Sequence, residues 1–112
     1  MEIDIKPRSY PNSINLGSKG KVPVAILGSD IFDATKVDPL TVKLAEAPVI
    51  IKKHGKPMSS IKDINKDGYL DLVVQVSTVD LQLVEGDTEA ELIGQTFNEM
   101  PIKGMDSVNI VP

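Results

Sequence analysis

The sequence predicts an all-β fold, a two-sheet β-sandwich with Greek-key-like connections, and three observations carry that expectation. Short runs of β-branched and aliphatic residues recur along the chain, each bounded by Gly, Pro, Asn, Asp or Ser. Apolar spacing at i, i+3, i+4 is nowhere sustained over three turns, and 8 Pro and 8 Gly interrupt the chain too often for a long helix. A hydrophobic content of 41% in 112 residues supplies one modest core, so a single domain spans 1–112.

Taken in order, Ile3-Asp4-Ile5 opens with an alternating pattern and is predicted as a strand. Lys6 to Ser13 holds two prolines and reads as an extended connection into Ser13-Ile14-Asn15-Leu16, followed by a bend at Gly17-Ser18-Lys19-Gly20. Val22 to Leu27 is the next strand. Asp33 is placed to cap a single helical turn reaching Val37, which Asp38-Pro39 would end. Thr41 to Leu44 and Val49 to Ile51 are short strands, and Lys52 to Pro57 is an exposed loop. Leu70 to Val76 alternates into a strand, Glu91 to Ile93 follows, and Gln95 to Pro101 joins two strand ends by a turn at Asn98-Glu99. Val108 to Val111 closes the chain. The expected core draws on Ile3, Ile5, Ile14, Leu16, Val24, Ile26, Phe32, Val42, Leu44, Leu70, Leu72, Val74, Val76, Leu92, Val108 and Ile110, with Phe97 packed among them.

Composition narrows the function. The 12 Lys+Arg against 16 Asp+Glu give a net charge of -4 with no basic stripe, which argues against nucleic acid, because phosphate neutralisation needs clustered cations. The absence of cysteine excludes disulfide frameworks, thiolate zinc sites and cysteine nucleophiles. No apolar run approaches the ~18 residues of a membrane span, and the acidic start Met1-Glu2-Ile3-Asp4 lacks the pattern of a signal peptide.

One segment carries chemistry. Asp63-Ile64-Asn65-Lys66-Asp67-Gly68-Tyr69-Leu70-Asp71 sets oxygen side chains at relative positions 1, 3, 5 and 9 with glycine at 6, the first nine positions of an EF-hand-type calcium loop. Calcium is a hard cation that takes about 6 to 8 oxygens, so the chain must turn tightly enough to aim alternate residues inward, and Gly68 permits that turn. Asp63, Asn65 and Asp67 are expected to give side-chain oxygens, Tyr69 its carbonyl, and Asp71 an oxygen directly or through water. Carboxylates a few ångströms apart repel by ~1 kcal/mol or more per pair without a cation between them. Position 12, where a bidentate Glu would stand, is Val74, so the remaining donors are water or a residue from elsewhere, with Asp80, Glu85, Asp87 and Asp106 as candidates. The loop exits into a strand rather than a helix, which points to a structural ion rather than a sensor. The competing account of these residues is a polar turn between strands without a metal.

The loop resembles the Asp-x-Asn-x-Asp-Gly-x-x-Asp loops of dockerins and of integrin-type β-propeller repeats, although dockerins carry two loops with helices. The whole chain resembles a recurrent domain of archaeal and bacterial secreted or cell-surface proteins, through Ile3-Asp4-Ile5-Lys6-Pro7, Pro11 to Leu16, Val22 to Gly28, the calcium loop, Gly86 to Ala90, and Pro101 to Ser107. Arg8 departs from the resemblance, since glycine is expected there. The resemblance implies an extracellular or cell-surface setting and an accessory role beside other domains.

The residues separate three function classes. The leading expectation is a non-catalytic, calcium-stabilised module for protein-protein or envelope assembly, its partners being neighbouring domains or surface proteins. The alternative is a calcium-dependent carbohydrate-binding module, for which Tyr10 and Tyr69 are the only polar aromatics and Trp is absent. An enzyme is not expected, because His54, the only histidine, lies among Lys52, Lys53 and Lys56 with no second group to pair with it. Oligomeric state and a Lys-Asn isopeptide cross-link are left open by the residues.

Overall fold

A computed structural model describes all 112 residues and contains ten strands: β1 (Ile3–Ile5), β2 (Ser13–Asn15), β3 (Lys21–Ile26), β4 (Lys43–Leu44), β5 (Ala47–Pro48), β6 (Ser59–Lys62), β7 (Asp71–Ser77), β8 (Glu89–Gln95), β9 (Pro101–Ser107) and β10 (Asn109–Val111). The chain is therefore mostly β outside its turns, and its only helical pieces are four 3-10 turns of three residues each. Two sheets have four strands, in the orders β1-β3-β7-β6 and β5-β4-β8-β9, and all their pairings are antiparallel. A third element pairs β10 with β2 in parallel.

The first sheet is organised by β3 and β7, which run together from Lys21↔Ser77 to Ile26↔Leu72. Their alternation buries Val22, Val24 and Ile26 against Leu72, Val74 and Val76. Pro23 sits inside β3 without disrupting it, because β1 ends at the Ile5↔Val24 pair and nothing there asks Pro23 for an N–H. Its carbonyl instead accepts from Lys6 N at 2.8 Å, and Lys6 turns away in the left-handed region (φ 51).

The second sheet is built on β8, whose Ala90 and Leu92 face inward beside Val42 and Leu44. Strand β9 passes so close to β1 that a side chain at Gly104 would meet Ile3 and Met1 at 3.0 and 2.9 Å, which is why glycine stands there. From β5 the chain continues into a bridge between Val49 and Val76, carrying it from one sheet to the edge of the other. One core cluster of 19 buried residues includes side chains of both sheets, with Leu16, Phe32 and Ile110 packed at its border.

Asp33 caps the 3-10 turn Ala34–Lys36 by accepting from Thr35 N and Oγ1, and those two hydrogen bonds lower its carboxyl pKa. Asp38 does not simply end that turn. It opens a second one, Pro39–Thr41, by accepting from Leu40 N at 3.0 Å. The Gln95-to-Pro101 segment is the expected hairpin, closed by Thr96 N to Met100 O and with Glu99 left-handed at φ 66.

Two expected core residues are outside. Leu70 is 52% exposed because it precedes β7 and lies in the loop, so the inward alternation of Leu72, Val74 and Val76 does not extend back to it. Phe97 is 65% exposed because it rides on the hairpin tip, its N–H donated to Lys36 O. Ile26→Ala is expected to cost ~2–5 kcal/mol and lower the melting midpoint by about 10 °C or more, while Leu70→Ala and Phe97→Ala should stay within ~1 kcal/mol of the parent, as read by thermal and urea unfolding.

Candidate metal centre

The segment 63–71 joins edge strand β6 to central strand β7. Its curvature is set by Lys66 (φ 59) and Gly68 (φ 92), and the glycine occupies a left-handed conformation that a side chain would oppose. Asp63 organises the turn from its start, its Oδ1 accepting from Asp67 N at 3.1 Å and its Oδ2 from Gly68 N at 2.9 Å. Asp67 Oδ1 in turn accepts from Tyr69 N at 2.9 Å. Asn65, Asp67 and Tyr69 are exposed.

Asn65 and Asp67 share the wall of a cavity of about 440 Å³ with Glu2, Gly28, Ser29 and Phe32. No three His, Asp or Glu side chains converge closely enough to hold a metal by themselves. In residue type the donor set still fits a hard cation: Asp63, Asn65 and Asp67 side chains, the Tyr69 carbonyl and Asp71 are all oxygens, strung around a glycine turn. No lysine or arginine neutralises the carboxylates, since the one ion pair in the chain is Lys103–Glu91.

Asp71 does something the spacing did not reveal. It is fully buried, Oδ1 accepts from Gly28 N at 2.8 Å, and Oδ2 accepts from Ile64 N at 2.8 Å. The carboxylate therefore ties the segment after β3 and the start of the loop to the first residue of β7. Gly28 approaches so closely that a Cβ there would lie 2.2 Å from Leu70 O, a backbone atom with nowhere to go.

The four further acidic candidates stand apart from that cavity, whose lining includes none of them. Asp106 is engaged by Ile5 N (2.9 Å), Asn12 Nδ2 (3.1 Å) and Ser107 N (2.8 Å). Asp87 closes its own turn by accepting from Val84 N at 2.9 Å. Asp80 and Glu85 are exposed elsewhere on the chain. The acidic residue that does face Asn65 and Asp67 across the cavity is Glu2, brought there because β1 and β7 flank β3 in one sheet. No local spacing links Glu2 to residue 65; only the sheet order could have found it. His54 lies exposed in the 52–57 loop with φ 68.

With this geometry in place the chain was compared with known proteins, and no family model, curated protein or solved structure matches it. No helix is long and apolar enough to cross a membrane.

Asp71→Ala should destabilise the protein by ~2–5 kcal/mol in EDTA, because two buried N–H groups lose their acceptor, and Gly28→Ala should destabilise it even though it removes no polar group; thermal unfolding reads both. Asp4 has its carboxyl pKa raised above the ordinary 3.8 by burial and by the nearby Asp106 charge. The folded state then holds the Asp4 proton more tightly than the unfolded chain, so the penalty is full at neutral pH and fades as pH falls through the raised value. Asp4→Asn is expected to stabilise the protein at pH 7 and to lose that advantage below about pH 4, as followed by urea unfolding across pH.

Proposed function

We propose that the protein is a non-catalytic, calcium-stabilised accessory module of a secreted or cell-surface protein, working in protein-protein or envelope assembly. The observation that carries the reading is the 63–71 loop: oxygen donors at positions 1, 3, 5, 7 and 9 fold around Gly68 between two strands, and none of the three carboxylates has a cationic side chain to neutralise it. Asp63, Asn65 and Asp67 would hold calcium by side-chain oxygens, Tyr69 by its carbonyl and Asp71 by a lone pair left free by its backbone donors. A bound calcium supplies charge compensation and rigidity at this junction. It would fix β6 to β7 much as Asp71 already fixes the loop to the segment after β3.

Placement outside the cell rests on the sequence resemblance and on affinity. A loop whose position 12 is Val74 has an incomplete protein shell and belongs in the weak range of roughly 10⁻⁴ to 10⁻³ M, which extracellular calcium can fill. We read the two four-stranded sheets as the layers of a sandwich with Greek-key-like connections, because one core cluster joins them and Gly104 lets β9 close on Ile3. Calcium added after EDTA should raise the melting midpoint saturably, by the equivalent of ~2.7 kcal/mol at 100 times Kd, with magnesium much weaker. Asp67→Ala should abolish the rise while the apo variant melts no lower than the apo parent. A calcium response unchanged in Asp67→Ala would remove the ligand assignment, and no response with either ion would leave the loop a polar turn.

A further inference from the structure

The N-terminal connection forms a second pocket that shares no residue with the cavity beside the calcium loop. It encloses about 310 Å³, at the lower end of ligand-binding pockets (~300 to 1,000 Å³), and is lined by Asp4, Arg8, Tyr10, Asn12, Asp106 and two serines. The only aromatic residue among these is Tyr10, which is 89% exposed. The other lining residues all carry polar side chains.

The polar groups are held in place and still have bonding capacity. Asp106 is fixed by three N–H donors, from Ile5, Asn12 and Ser107. Asn12 is only 4% exposed, and its Nδ2 donates to Asp106 Oδ2 at 3.1 Å and to Ser107 O at 2.8 Å. Its Oδ1 takes no donor from the protein and is not fully buried, which leaves it free to accept from a ligand in the pocket that Asn12 lines. Arg8 makes no ion pair and is presented by a turn closed by Ser9 N to Lys6 O, with Lys6 and Arg8 both left-handed at φ 51 and 71. Burial and the Asp106 charge raise the Asp4 pKa, as expected for an acceptor that lacks a donor of its own.

We propose that this pocket binds a single pyranose ring, with the Asp4, Asn12 and Asp106 oxygens accepting from vicinal hydroxyls, the Arg8 guanidinium donating to them, and Tyr10 covering the apolar face of the sugar. Fixed planar acceptors beside a multi-donor guanidinium match hydroxyls that both donate and accept. An exposed ring rather than a closed apolar chamber suits a ligand that keeps one side in water. The pocket does not depend on the calcium loop, because the two cavities have separate walls.

The test is an amide NMR titration of the full chain, in calcium, with the methyl α-pyranosides of glucose, galactose, mannose and N-acetylglucosamine, and with glycine as a zwitterionic control. At least one glycoside should give saturable shifts centred on residues 8–12 and 106–107. Tyr10→Ala and Arg8→Gly should weaken that binding at least tenfold. Tyr10 is exposed and a glycine suits φ 71, so both variants are expected to keep the parent's unfolding midpoint, which is checked alongside. The proposal is overturned if no glycoside binds, if glycine alone gives the shifts, or if binding survives both substitutions. It is equally overturned if the shifts centre on 63–71 and vanish in EDTA, whereas failure of the calcium response with sugar binding intact would count only against the metal reading.

Discussion

A carboxylate with no access to water sits where three stretches of chain meet, and the arrangement around it depends on both of its oxygens being satisfied. Asp71 accepts one N–H from Gly28 and one from Ile64, so the exit of β3, the entry to the loop and the start of β7 share a single anchor. Burying an ion this way is costly unless its acceptors are filled. Filling them demands that the Gly28 backbone come within reach, and that approach excludes any side chain at position 28. The cavity wall formed by Gly28, Ser29 and Phe32 against Asn65 and Asp67 is a product of the same anchor.

Asp106 repeats the device between β9 and β1. Its oxygens gather N–H groups from β1, from the connection between β1 and β2 and from its own strand, so a side chain on β9 stands in for a strand pairing that β9 does not make with β1. In both places a polar residue closes the gap between elements that apolar packing alone leaves open. The two acids differ in their partners: Asp71 meets two backbone N–H groups, whereas Asp106 also takes a side-chain amide and lies near enough to Asp4 to raise its pKa.

Apolar patterning made the central strands legible. Leu70 to Val76 was visible because apolar residues alternate there and Val22 to Leu27 because it is a continuous apolar run, and they form the β3–β7 pair at the heart of the first sheet. Strand β6 was not visible, and of β9 only the start after the hairpin turn, since Ser59–Lys62 and Pro101–Ser107 are edge strands that bury almost nothing, and an edge needs a partner's backbone more than apolar side chains. The Asp33 cap and the hairpin at Asn98-Glu99 were readable because turn chemistry is local. At the candidate site, oxygen types and spacing were on the page, but the role of Asp71 was not, because which N–H a carboxylate meets is decided by tertiary approach. Glu2 and Tyr10 entered their cavities through sheet order and a strained turn, neither of which leaves a spacing signal.

The parallel pairing of β10 with β2, and the bond from Ile5 to Asp106 across 101 positions, also govern how the chain reaches its fold. Loops of that length close late and slowly, since the entropy of bringing the ends together is lost before any contact repays it. The β3–β7 pair and the β8–β9 hairpin can form from nearer segments. The N-terminal connection, with Arg8, Tyr10 and Asn12, therefore has its anchor about a hundred residues downstream, and its order depends on Asp106 being already in place.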